Sequence, residues 1–254
     1  MKVRFLLAMA MGILFASAVA NAASTCSQLP FAVTDGRSIG PVTITNANDI
    51  SIVFWVTGGH SYSLEVVSTD DNANQAGLST PIVGTGYCPA SNSVTLNDTT
   101  QIDPSLGAEG VGKRVSFTAS SNGFLEGRVG VTNGSYPFMV KVADTTMYNP
   151  RWSTSGTWQT TWGFQNTTKS TIHGTLRVYD PNGALLTTVG PFAIAAHMTA
   201  FKVTGTDVIV PHTWGSAEFV HDGPPGAIQG DAYYYNGSYT LLVPSTFSSV
   251  RSGH

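Results

Sequence analysis

The 254-residue chain is short of charge, of cysteine and of helical periodicity, and each shortage removes a class of function. Lys and Arg total 12 and Asp and Glu 15, so charged residues make up 11% of the chain, against about a quarter in ordinary globular domains. The basic residues form no cluster or stripe. The concentrated positive charge that phosphate backbones and anionic lipid demand is missing, which argues against nucleic acid and against electrostatic membrane docking. Beyond the N-terminus no apolar run approaches the roughly 20 residues of a spanning helix. Catalytic motifs are equally scarce. No Gly-x-Ser-x-Gly elbow occurs, and His60, His173, His197, His212 and His221 show no metal-ligand spacing. The four glutamates, Glu65, Glu109, Glu126 and Glu218, are scattered. Nothing in the sequence sets two of them face to face as glycoside hydrolysis requires, and each reads as a solvated surface carboxylate.

What is present begins with an address. Lys2 and Arg4 precede an apolar run from Phe5 to Val19, and Ala20-Asn21-Ala22 offers small residues at a cleavage site. This layout predicts a signal peptide over 1–22 and a mature chain exported to the periplasm or beyond the cell. Removing it leaves ten basic against fifteen acidic residues, a net charge of −5. The two cysteines, Cys26 and Cys88, both fall in the mature chain. In an oxidising compartment they read as one disulfide, and closing a loop of this length stabilises a fold by roughly 4 kcal/mol on the chain-entropy model.

Short alternating apolar runs, broken by Gly, Asn, Asp and Pro every 8 to 12 residues, predict strands throughout. In the first half they fall near 42–45, 50–56, 62–67, 93–96, 114–119, 127–131 and 138–142. In the second they fall near 158–165, 171–179, 185–189, 199–203, 208–210, 217–221, 227–235 and 239–243. The mostly apolar 50–56 segment predicts a central strand covered on both faces. The 171–179 segment alternates over nine residues, with Ile172, Leu176 and Val178 inward and His173, Thr175 and Arg177 outward. The expected fold is all-β, two consecutive antiparallel β-sandwich domains after the cleaved signal peptide. The first spans 23–143, a polar linker 144–156, the second 157–244, and 245–254 forms a flexible tail.

Three stretches of the first half resemble the bacterial pre-peptidase C-terminal domain. They are Val53-Phe54-Trp55-Val56, the Gly-x-x-Tyr-x-x-x-Val run over 59–66, and the closing strand over 134–142. In place of that family's Asp-x-Asp-Leu turn, this chain has Asp70-Asp71-Asn72-Ala73-Asn74, a departure that bears on the family's association with calcium. The second half is similar to immunoglobulin and fibronectin-III sandwiches in strand spacing. Both resemblances imply a non-catalytic module, of the kind that accompanies secreted enzymes or decorates cell surfaces.

Candidate chemistry is limited to three places. Asp70, Asp71, Asn72 and Asn74 crowd hard oxygen donors into one loop, as Ca²⁺ requires, although the EF-hand glycine and glutamate are missing. The same residues equally make a solvated turn of side-chain to backbone bonds. His221-Asp222-Gly223-Pro224-Pro225-Gly226 reads as a rigid turn, because adjacent His and Asp on a strand face opposite sides. Aromatics weigh heavily in the second half. Trp158 and Trp162 share strand parity and read as core. Trp152 and Trp214 fall in expected loops and, with Tyr234, form the candidate binding surface for a polysaccharide or a surface protein. No other cofactor is expected. The competing expectation is a secreted hydrolase with an unfamiliar active site, assembled from distant Ser, His and Asp or from two carboxylates.

Overall fold

A computed structural model describes residues 25–29, 31–70, 78, 82–85, 92–93, 97–99, 112–238 and 241–249. The expected signal peptide, Cys88 and Asp71, Asn72 and Asn74 lie outside the described residues. The chain is all-β and built from antiparallel sheets. No helix among the described residues is long and apolar enough to cross a membrane.

The first part contains β1 (Thr25–Gln28), β2 (Asp35–Thr45), β3 (Asn48–Val56), β4 (Ser61–Ser68) and β5 (Ile82–Thr85). The short β6 (Asn92–Ser93) and β7 (Asn97–Thr99) precede β8 (Gly112–Thr118), β9 (Gly123–Val129) and β10 (Ser135–Asp144). They form one sheet in the order β6-β5-β9-β3-β2-β10-β4-β8-β7, with β1 added in parallel to β3. Pairing between β2 and β3 is confined to Thr45 and Asn48, so the sheet turns a corner there. It folds β3 and β9 over β4 and β8. Phe54 and Phe117 meet across the core with centroids 6.2 Å apart, and Gly127 leaves room for Leu64, whose Cδ2 would lie 2.6 Å from an added Cβ.

The second part contains β11 (Met147–Ser153), β12 (Trp158–Asn166), β13 (Ile172–Tyr179), β14 (Leu185–Ile194) and β15 (Thr199–Val203). It closes with β16 (Trp214–His221), β17 (Ile228–Asn236), β18 (Leu242–Thr246) and β19 (Ser248–Ser249). A five-stranded sheet, β14-β13-β16-β11-β19, packs on a four-stranded sheet, β15-β12-β17-β18. Phe164 of β12 stacks on Phe219 of β16 at 3.9 Å between centroids, joining the two layers. The alternation expected over 171–179 is present, with Ile172, Leu176 and Val178 buried and His173 exposed.

Four expectations need correction. The stretch 144–156 is not an open linker. Thr145 and Thr146 alone separate β10 from β11, and both are buried. Their polarity serves the junction: Thr145 N–H donates to Ser61 O at 2.8 Å, and Thr146 Oγ1 accepts from Ser61 N–H at 2.9 Å. The expected tail carries β19, and Phe247 inserts its ring 5.1 Å from that of Phe164. The strand expected at 208–210 is reduced to a bridge between Thr204 and Val208. Glu65 and Glu126 are buried rather than solvated; Glu126 accepts a 2.5 Å bond from the Ser51 hydroxyl.

Candidate functional site: an aromatic cleft at the end of the second sandwich

The cleft forms where β11 passes through the 154–157 turn into β12. Gly156 adopts φ +64°, a left-handed conformation that glycine takes without steric cost. The turn is fixed by its own hydroxyls. Thr160 Oγ1 accepts from Ser153 N–H at 3.0 Å and donates to Ser153 O at 2.9 Å, tying β11 to β12. Thr154 N–H donates to Thr213 O at 2.7 Å and its hydroxyl to Pro211 O at 2.8 Å, which holds the segment before β16 in place. Trp214, the first residue of β16, is thereby presented on a braced backbone with 53% of its surface exposed.

Trp214, Arg151, Ser155, Thr157 and Trp158 line a cleft of about 790 Å³, within the roughly 300–1,000 Å³ typical of ligand sites. Tyr234 contacts two of these residues. The Arg151 guanidinium sits 5.5 Å from the Tyr234 ring centroid, a cation–π distance, and the Trp158 ring packs 5.7 Å from the same centroid, tilted by 58°. The cleft thus combines an exposed indole, a guanidinium donor and hydroxyls, those of Ser155 and Thr157 among them. Such a surface stacks on an apolar C–H face while bonding the polar rim of the same molecule.

Of the aromatic residues expected to bind, Trp214 lines this cleft, Tyr234 packs against its Arg151 and Trp158, and Trp152 takes no part in it. Trp152 lies on β11, fully buried, with Nε1–H shared between Tyr179 O at 2.9 Å and Ser216 O at 3.0 Å. A register shift in β11 between Asn149 and Trp152 turns the ring inward. Trp158, read as core, is only half-buried, whereas Trp162 is in the core. Of the calcium candidates, only Asp70 is described, and its backbone N–H is bonded to the Ser68 hydroxyl at 2.9 Å. Among the described residues no three of His, Cys, Asp or Glu are placed so that they could hold a metal ion. Cys26 lies on β1 opposite Asp49, while its expected disulfide partner Cys88, and with it the bond, lies outside the described residues.

A second aromatic surface escapes sequence reading. Phe31, Val33, Trp55 and Phe124 are exposed on the first sandwich, and three of them are joined through their rings. Phe31 meets Phe124 edge-on at 5.6 Å, and Phe124 meets Trp55 edge-on at 4.8 Å. The 50–56 strand expected to be covered on both faces is therefore open at Trp55, its cross-strand partner being Phe124.

The 221–226 segment makes the turn expected of it, closed by Ala227 N–H on Pro224 O at 3.0 Å. Its side chains pair elsewhere. Asp222 Oδ1 accepts from His173 N–H at 2.8 Å, and Asp222 Oδ2 lies 3.1 Å from His173 Nδ1. His221 Nδ1 accepts from Gly223 N–H at 3.1 Å. Burial pushes the His221 pKa down from 6.5 to about 4, against the upward pull of Asp222 and Asp144 and with help from Arg114. The folded chain therefore keeps this imidazole neutral while the unfolded chain protonates it at 6.5. The stability this contributes is present above 6.5 and is lost as pH falls toward 4. At roughly 1.4 kcal/mol per unit the full loss is about 3 kcal/mol. His60 works in the opposite sense. Burial lowers its pKa, but the bond to Asp144 at 2.7 Å and that carboxylate's charge outweigh burial and raise it. Its contribution is present below 6.5 and fades as pH rises through the raised value. Urea unfolding across this window checks the balance: a His221→Gln variant has a shallower acid loss than the parent, and an unchanged slope rules the assignment out.

No family model matches the chain, and no curated protein matches it.

Proposed function

We propose that the protein is an exported, non-catalytic binding protein whose second sandwich holds a segment of polysaccharide in the Trp214 cleft. One observation carries this reading: a half-exposed indole on a braced backbone beside a guanidinium and hydroxyls, in a cleft of about 790 Å³. Export rests on the N-terminal layout of charge, apolar run and small residues. The described residues that line the cleft include no carboxylate and so offer no acid–base pair for cleaving a glycosidic bond. Recognition by stacking and hydrogen bonding is what these side chains offer.

Titration of the mature protein with soluble polysaccharides (xylan, mixed-linkage glucan, chitin and pectin oligomers) tests it, run with calcium and with chelator. Trp214→Ala weakens binding at least about thirtyfold, the scale of an aromatic anchor residue. It leaves the unfolding free energy within about 0.5 kcal/mol, as for an exposed side chain. Chelation leaves cleft binding unchanged; loss on chelation moves the site to the Asp70–Asn74 loop. Failure of every polysaccharide to bind overturns the reading.

A second reading, a protein partner, is favoured by the Phe31, Val33, Trp55 and Phe124 surface. These four side chains are apolar, and the rings pack edge-on rather than as a flat platform. That is the composition of a protein contact rather than a sugar shelf.

A further inference from the structure

We propose that the junction between the two sandwiches is a separate binding site for one small neutral polyhydroxy molecule, a free monosaccharide or polyol.

The junction is a built feature. Arg177 of β13 donates through Nη1 to Gly59 O in the β3–β4 turn at 2.6 Å, and the Thr145 hydroxyl donates to His221 O at 3.5 Å. Between these ties lies a cavity of about 220 Å³. That is the space of roughly seven waters at about 30 Å³ each, and less than a drug-sized pocket.

The first sandwich contributes hydroxyls from β4 and β8, where Ser61 pairs with Thr118 and Ser63 with Ser116. Ser61 Oγ and Thr118 Oγ1 are 3.4 Å apart. Ser116 is 5% exposed and lies along the same wall, its hydroxyl buried beneath it. The hydroxyls of Ser61 and Thr118, and of Thr175 across the cavity, each carry one donor and two acceptor positions. The second sandwich contributes Thr175 and His173 from β13 and His221 and Asp222 from the end of β16. Phe117 and Pro191 supply apolar wall.

Charge selects the ligand class. Among the described residues no Lys or Arg lines the cavity, and an anion entering it meets the Asp222 carboxylate. A cation finds that single carboxylate with both oxygens already engaged by His173. Hydroxyls that both give and accept, with an uncharged His221, match a molecule whose own groups are hydroxyls. The apolar wall matches the C–H face of a sugar ring. Ser116 makes no bond to either imidazole, so it lacks the adjacent base that a serine nucleophile needs. The site is arranged to hold rather than to cleave. It lies at the His221 end of β16 and the aromatic cleft at the Trp214 end, about 23 Å apart at roughly 3.3 Å per residue.

The test uses the mature chain carrying Trp214→Ala, in which cleft binding is already weakened, so that the two sites fail independently. Calorimetric titration compares D-glucose, D-mannose, myo-inositol and glycerol with inorganic phosphate and acetate. At least one neutral probe binds saturably, while phosphate and acetate do not. Thr118→Ala weakens that binding about tenfold, and Thr175→Phe, which fills the cavity, removes it; melting curves confirm that both variants fold. Weakening in either folded variant supports the site. Absence of saturable binding by every neutral probe, preference for phosphate or acetate, or unchanged affinity in both variants overturns it.

Discussion

Trp152→Ala lowers the stability of the second sandwich by about 3–5 kcal/mol, the usual range for deleting a fully buried large aromatic side chain. The ring has no exposed surface and packs 6.4 Å from Trp162 between centroids. Truncation leaves a cavity beside a second indole and withdraws the one N–H that serves both Tyr179 O and Ser216 O. Trp152→Phe separates the two losses. It restores most of the volume and leaves the carbonyls without their donor, so its cost is about 1–3 kcal/mol. For a protein of this size each kcal/mol moves the melting temperature by roughly 2–4 °C, so the alanine variant melts on the order of 10 °C lower. Calorimetry and urea unfolding read this directly. A surface platform ring predicts the reverse, near-normal stability with lost polysaccharide binding. A cost below about 1 kcal/mol would return Trp152 to that role.

The reason Trp152 reads as a loop ring while Trp162 reads correctly as core is the phase of the alternation. Period two carries a side chain's face along a strand only while the register is unbroken. In β12 and β13 it is kept over the core stretch, and Trp162, Phe164, Ile172, Leu176 and Val178 fall inward as expected. In β11 the shift between Asn149 and Trp152 places Pro150 and Arg151 outward in succession, and the Pro-Arg dipeptide among polar neighbours has the composition of a linker. Asp144, Thr145 and Thr146 mislead for a related reason. Their polarity signals solvent, but it is consumed by backbone groups of the junction. The candidate sites are legible only in part. Trp214 and Tyr234 stand out by residue type, yet Arg151 over Tyr234 is a contact between β11 and β17 that no local pattern encodes. His173 and Asp222 meet across 49 residues, and Phe31, Trp55 and Phe124 come from three separate segments.

Glu65→Ala destabilises the first sandwich by about 3–5 kcal/mol, the cost of removing one partner from a buried ion pair. Alternation along β4 places Glu65 opposite Leu64 and Val66 and so on the outer face, yet it is 1% exposed because all eight residues of β4 are buried. The register explains how a carboxylate persists there. Lys141 of β10 is paired with Glu65 on one side and Arg114 of β8 on the other, so three charges lie in a row across adjacent strands. Both cations are buried, and Lys141 Nζ lies 3.9 Å from Glu65 Oε2. Deleting the central carboxylate takes the negative charge from between two buried cations, which raises their mutual repulsion and weakens the compensation of their desolvation. Burial also shields the row from salt, so the loss persists at high ionic strength, unlike that of a surface pair. The triple replacement Arg114→Met, Glu65→Leu, Lys141→Met removes every charge and keeps the volume. It regains most or all of the parent's stability, because charges that need no burial cost nothing to desolvate. Urea unfolding of the parent, the single and the triple variant decides it. A single variant within about 1 kcal/mol of the parent, or a triple variant weaker than the single one, shows that the row is not what holds these three strands together.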